Sequence, residues 1–94
     1  LVLLIGTVPG VINLPLLVTA GNYCFSGCIS LTSINLPSCT ALGLTVGNNS
    51  VFFSVLGNTI TATFNSVLAT CDAGNPDGDI VYLDSINTVT ITYV

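Results

Sequence analysis

The 94-residue chain carries four Asp, at 72, 77, 79 and 84, and no Lys, Arg or His, so its formal net charge is −4 while 51% of its residues are hydrophobic. Without cations it has nothing to neutralise phosphates, which excludes nucleic acid as a partner. Without His or Lys, a Ser or Cys nucleophile has no base to activate it, so nucleophilic catalysis is excluded too. An ordinary soluble domain is about a quarter charged, so here Thr, Ser and Asn must finish the surface. A surface that repels so little suits contact with copies of the same chain, and a homo-oligomer, trimer or filament, is the expectation.

Leu1 to Ile5 is continuously apolar and reads as a buried strand. The run to Val18 is broken by Gly6, Pro9, Gly10, Asn13 and Pro15, well short of the ~20 residues of a membrane span, so no membrane insertion is expected. No basic region precedes it, as a secretion signal would need. The chain starts without Met, inside this run, and is expected to be part of a longer one. Pro9-Gly10 marks a turn, Val11 to Leu14 the next strand, and Leu16-Leu17-Val18 a run expected to lie inside. From Gly21 to Cys28, Phe25, Gly27 and Cys28 suit one helical turn closed by glycine. Leu31, Ile34 and Leu36 alternate with polar residues up to Pro37 and predict a short half-buried strand.

Beyond it, Leu42, Leu44 and Val46 lead to the polar turn Gly47-Asn48-Asn49-Ser50, which also fits an N-glycosylation sequon. Phe52 and Phe53 are adjacent, so in a strand one must point outward. Asn58 to Phe64 alternates Thr with Ile60, Ala62 and Phe64, Val67 to Cys71 suits a helical turn, and Asn87 to Val94 repeats the Thr alternation. Two internal matches stand out. Val11-Ile12-Asn13-Leu14-Pro15 matches Ser33-Ile34-Asn35-Leu36-Pro37 at an offset of 22 residues, and Asn58 to Phe64 matches Asn87 to Tyr93 at 29. Such periods belong to stacked repeats.

The run Phe25-Ser26-Gly27-Cys28-Ile29-Ser30-Leu31-Thr32-Ser33-Ile34-Asn35-Leu36-Pro37 resembles the leucine-rich repeat of BspA type, whose units read roughly as Ala-Phe, Gly-Cys, Ser-Leu and an Ile-x-Ile/Leu-Pro strand. The resemblance covers one unit, residues 21–37, and the half unit from Val11 to Pro15. Tyr23-Cys24 departs from it, and Thr40 to Asn49 lacks the next Phe-x-x-Cys. It implies a solenoid of stacked turns used for adhesion, as in bacterial surface proteins and in phage tail fibre or receptor-binding proteins, and it implies no site. The family pattern also favours Cys28 as a small buried apolar side chain, although a Cys24–Cys28 disulfide on a helical turn is an alternative; neither makes a zinc site.

The fold expected is therefore all-β, a short-strand, leucine-rich-repeat-like solenoid or β-prism-like stack over residues 1–57. An irregular β cap with the acidic turn follows over 58–94, with one or two helical turns. The function expected is non-enzymatic: a structural or adhesion segment of an extracellular fibre or spike on a virion, attaching to a host surface glycan or protein. A bacterial cell-surface adhesin and a self-assembling filament subunit are the alternatives.

Asn75-Pro76-Asp77-Gly78-Asp79 is strong turn chemistry, with Gly78 supplying positive φ and its carboxylates in solvent. Asp77 and Asp79, with Asn75 or Asp72, also offer oxygens to Ca²⁺ or another hard cation, but the glycine falls between the ligands, unlike a calcium loop. A glycosidase pair among these Asp residues is the remaining catalytic reading. Sugar binding needs aromatic faces beside Asn and Asp, and Tyr82, Asn75, Asp77, Asp79 and Phe53 are the candidates, with Tyr23 and Tyr93 as further exposed rings. No organic cofactor is implied.

Overall fold

The computed structural model describes residues 10–43, 51–74 and 78–94. Leu1 to Ile5, the Asn48-Asn49-Ser50 sequon, Asn75 and Asp77 lie outside the described residues. The chain forms strands β1 (Val11–Asn13), β2 (Thr19–Ala20), β3 (Ser33–Leu36), β4 (Ala41–Leu42) and β5 (Thr59–Phe64), helices α1 (Leu68–Cys71) and α2 (Asp79–Ile86), and strand β6 (Thr88–Tyr93). Four strands make one parallel sheet in the order β1-β3-β5-β6, and β2 pairs with β4, also in parallel.

The pairing register explains the internal matches. Ile12 lies beside Ile34, Ile34 beside Ala62, and Ala62 beside Ile91, so one apolar row crosses the whole sheet. Leu36, Phe64 and Tyr93 form a second row. Because side chains alternate across a strand, the intervening positions form rows on the other face, polar except at Val11: Asn13, Asn35, Thr63 and Thr92 in one, and Val11, Ser33, Thr61 and Thr90 in the other. Asn35 Nδ2 donates to Asn13 Oδ1 at 2.9 Å along the first of these. Alternating burial along β5, with Thr59 and Thr61 exposed and Ile60, Ala62 and Phe64 buried, shows which face meets the core.

That core joins the inward rows to Phe25, Cys28, Leu31, Phe52 and Val55 and to Leu68, Ile80 and Leu83 from the helices. Phe25 and Phe52 stack at 5.8 Å between ring centroids. Cys24, Cys28, Cys39 and Cys71 are all free thiols, the first three buried.

The expected all-β solenoid is corrected by this architecture, which is mixed: a four-stranded parallel sheet with short helices. Its extents of 28 × 26 × 23 Å are nearly equal in every direction. The largest departure is α2, in a segment read as an acidic turn. Ile80 and Leu83, three apart, are buried on one helical face, and that periodicity outweighs the turn chemistry of Gly78. Gly78 takes φ −71° and stands at the helix N-cap, with no positive φ. The residues around Cys24–Cys28 form successive turns instead of helix, with Gly27 at φ 73°. The run 16–18 does not lie inside either. Leu16 is 87% exposed and Val18 is exposed, since the turn after β1 leaves only Leu14 and Leu17 packed against the core.

Truncating the shared apolar row should be costly and truncating the polar row should not. Ile34→Ala is expected to lose roughly 2–5 kcal/mol in urea unfolding by leaving a cavity, while Thr61→Ala should stay within about 0.5 kcal/mol. Equal losses would mean the sheet is not faced as described.

Candidate functional site

Two local features lie close together, the first on the chain segments 21–27 and 51–54 and the second at the start of α2. One is an exposed aromatic pair and the other is a pair of buried carboxylates that holds the backbone beneath it.

Tyr23 and Phe53 meet edge to face, with ring centroids 5.9 Å apart at 73°, a geometry in which the positive edge of one ring faces the negative face of the other. They are 48% and 50% exposed. Tyr23 has φ 59°, and Ser54, directly after Phe53, has φ 67°. For residues with a Cβ this left-handed backbone costs roughly 1–2 kcal/mol each, so tertiary contacts must hold it. They do so through the main chain: Phe25 N–H donates to Val51 O at 3.0 Å and Gly27 N–H to Phe53 O at 2.8 Å. Ile29 and Leu56 add exposed apolar side chains, and Asn58 Nδ2 donates to Ile29 O at 3.1 Å, fixing that turn.

Beneath this, Asp79 is 3% exposed and Asp72 is also buried. Asp72 serves the start of α2: its Oδ1 accepts from Ile80 N–H at 2.7 Å and its Oδ2 from Asp79 N–H at 3.3 Å. This satisfies two of the amides that a helix start leaves unpaired. Asp79 Oδ1 in turn accepts from Val51 N–H at 3.0 Å. A line of hydrogen bonds thus runs from α2 through Asp79 to Val51, and from Val51 and Phe53 to the turn that carries Tyr23. Gly43, at φ 78°, approaches closely: a Cβ there would lie 3.1 Å from Asp79 Oδ2 and 3.1 Å from Asn22 Oδ1.

Burial holds the Asp79 carboxyl well above its ordinary 3.8, to about 6; the Val51 hydrogen bond opposes this and the nearby Asp72 charge adds to it. Burial likewise raises Asp72, against the pull of its two backbone N–H donors. Tyr93 is raised by burial and by the charges of Asp72 and Asp84. Burial also raises the thiols of Cys24 and Cys39, which makes them poor nucleophiles at neutral pH.

Of the five residues read from the sequence as a ligand cluster, Phe53 is exposed and Tyr82 half-buried, while Asp79 is buried with its carboxylate spent on Val51. Asp79 therefore does not sit at a solvated loop tip. The structure links it to Phe53 through the backbone, not through a shared ligand surface. Among the described residues no group of three or more His, Cys, Asp or Glu could hold a metal ion. Two features escaped the sequence reading. The partnership of Tyr23 with Phe53, thirty positions apart, has no spacing signal. The role of Asp72 had one, an acidic residue just upstream of an Asp-Ile-x-x-Leu helix start. No known protein family, curated protein or solved structure matches this chain.

The raised carboxyls give a pH dependence of definite sign. The folded chain holds the Asp79 proton more tightly than the unfolded chain, so this stabilisation is complete below pH ~4 and disappears as the pH rises through about 6. Its size is on the order of 3 kcal/mol at most. The melting temperature should fall between pH 4 and pH 7, and Asp79→Asn, which keeps an acceptor for Val51 N–H, should flatten that slope. A slope unchanged in the variant would show that Asp79 is not its source.

Proposed function

We propose that this chain is a non-enzymatic attachment segment of an extracellular fibre or spike, as in phage tail fibre or receptor-binding proteins. In this reading it assembles with copies of itself and holds a glycan of a host surface on the Tyr23–Phe53 pair. The observation that carries the reading is that pair: two half-exposed rings, fixed from below, on a surface without cations. Rings held in this way present apolar faces to the C–H surfaces of a sugar, and neighbouring polar groups set its orientation. Binding of a neutral sugar needs no cation, whereas phosphate or nucleic acid would.

A non-catalytic role is supported by the state of the carboxylates. Asp72 and Asp79 are buried and accept backbone N–H groups, so neither is presented to a glycosidic bond as an acid–base pair would have to be. The BspA-type resemblance of residues 21–37 adds an adhesive precedent for the segment as a whole; it implies no site, and Tyr23-Cys24 departs from its pattern.

Binding to arrayed bacterial surface polysaccharides tests the reading. Tyr23→Ala and Phe53→Ala should each weaken the strongest signal at least tenfold while leaving the melting temperature within a few degrees, since both side chains are half in solvent. Silence of the unaltered chain across the array, or binding indifferent to both substitutions, would remove the glycan from the proposal.

A further inference from the structure

Strand β6 differs from β5 in one respect that its sequence does not explain. Both are six residues long, both alternate Thr with apolar residues, and they pair residue for residue from Thr59↔Thr88 to Phe64↔Tyr93. Yet Ile60, Ala62 and Phe64 are buried, whereas Val89, Ile91 and Tyr93 are only half-buried. β5 has neighbours on both sides and β6 has one, being the last strand of the sheet among the described residues.

The open side of β6 presents a full set of backbone groups. Thr88 N–H donates to Asn58 O, Val94 N–H to Phe64 O, and Val94 O accepts from Ser66 N–H. In a parallel pair the N–H and C=O of one residue point the same way, so 88, 90, 92 and 94 face β5. Val89, Ile91 and Tyr93 then face their N–H and C=O outward. Edges of this kind are ordinarily blunted by Lys, Pro, a bulge or an inward-pointing charge; Thr-Val-Thr-Ile-Thr-Tyr has no Lys, Pro or charge.

We propose that this edge is the contact between two copies of the chain, joined β6 to β6 in antiparallel about a two-fold axis through Ile91. In that register Ile91 pairs with the partner's Ile91, Val89 with the partner's Tyr93 and Thr90 with the partner's Thr92. The outward-facing residues are the ones that exchange hydrogen bonds in an antiparallel pair, two for each pair, so about six bonds satisfy the whole edge. Opposed residues of an antiparallel pair lie on one face, so the apolar row continues across the axis and the Thr row continues on the other side. The two four-stranded sheets become one of eight strands.

A second copy is the fitting occupant for two reasons. The strand is complementary to itself in this register, and a two-fold contact closes on itself instead of growing without limit. The strand itself also carries no charge, so the paired residues oppose no like charges; the carboxylates that bear on it are Asp72 and Asp84, through Tyr93. A six-residue edge is small beside the roughly 1,200 Å² of a stable interface, so the dimer is reversible and depends on concentration. This deepens the self-assembly part of the proposed function; glycan binding by Tyr23 and Phe53 is a separate matter that this contact neither needs nor supports.

Sedimentation equilibrium on the 94-residue chain, from micromolar to millimolar, tests the contact. A monomer–dimer equilibrium with no larger species is expected. The double variant Thr90→Lys/Thr92→Lys sets like charges opposite each other and should weaken the dimer at least tenfold. Thr90→Lys/Thr92→Glu sets each cation opposite an anion across the two-fold axis and should return it to within a few-fold of the original. Open-ended growth, a chain that stays monomeric at millimolar concentration, or two double variants of equal strength would each overturn the proposal. Amide exchange on the unaltered chain gives an independent readout should a variant fail to fold. Protection at Val89, Ile91 and Tyr93 must rise with concentration while that of Thr90 and Thr92 stays constant, and no rise at the first three would overturn the contact equally.

Discussion

The fold depends on side-chain amides doing the work that charges do elsewhere. Asn58 Nδ2 donates to the carbonyls of Ile29 and Leu31, tying the start of β5 to the turn before β3. Twenty-nine residues later Asn87 does the same one layer on, donating to Val55 O and Leu83 O, and its Oδ1 accepts from Asn58 N–H. Asn65 closes the other end of β5 by donating to Pro37 O. An amide offers donors and an acceptor without the desolvation cost of an ion, so turns can be packed against one another in a chain that has no cation to pair with a buried carboxylate. The registers of β5 and β6 follow, because Asn58 and Asn87 fix where those two strands begin.

The two buried carboxylates fit the same economy. With no Lys or Arg available, Asp72 and Asp79 are stabilised only by backbone N–H groups: those at the start of α2 and that of Val51. The cost appears as raised carboxyl pKa values. What it secures is the placement of α2 against residues 51–53, and through them the left-handed turn that lifts Tyr23 beside Phe53. The exposed rings are thus positioned by an acid that is itself almost wholly buried.

Much of the sheet was legible in the sequence, for a physical reason. Alternation in Thr59–Phe64 and Thr88–Tyr93 has the period of a strand, and the matches at 22 and 29 residues are the pairing registers themselves. Neighbouring strands that share an apolar row select similar residues at similar spacing. The helix α2 was obscured because Asn-Pro-Asp-Gly-Asp ahead of it is a strong local turn signal, while the buried face of an eight-residue helix needs only Ile80 and Leu83. The burial of Asp79 depends on Val51 and on the close approach of Gly43, both distant in sequence, and no local rule reports them. Tyr23 and Phe53 were visible as aromatics; their meeting depends on the same distant contacts.

The parallel pairing also governs how the chain must reach this state. Among the described residues no strand pairs with a neighbour across a short hairpin: partners are separated by at least the 22 residues between Ile12 and Ile34 and by as many as the 29 between Thr59 and Thr88. Each pairing therefore requires a sizeable loop to close before any backbone bond repays it. Folding of such a topology is slow for its length, and until the last closure the uncharged Thr-rich strands are open to chance encounters with other chains.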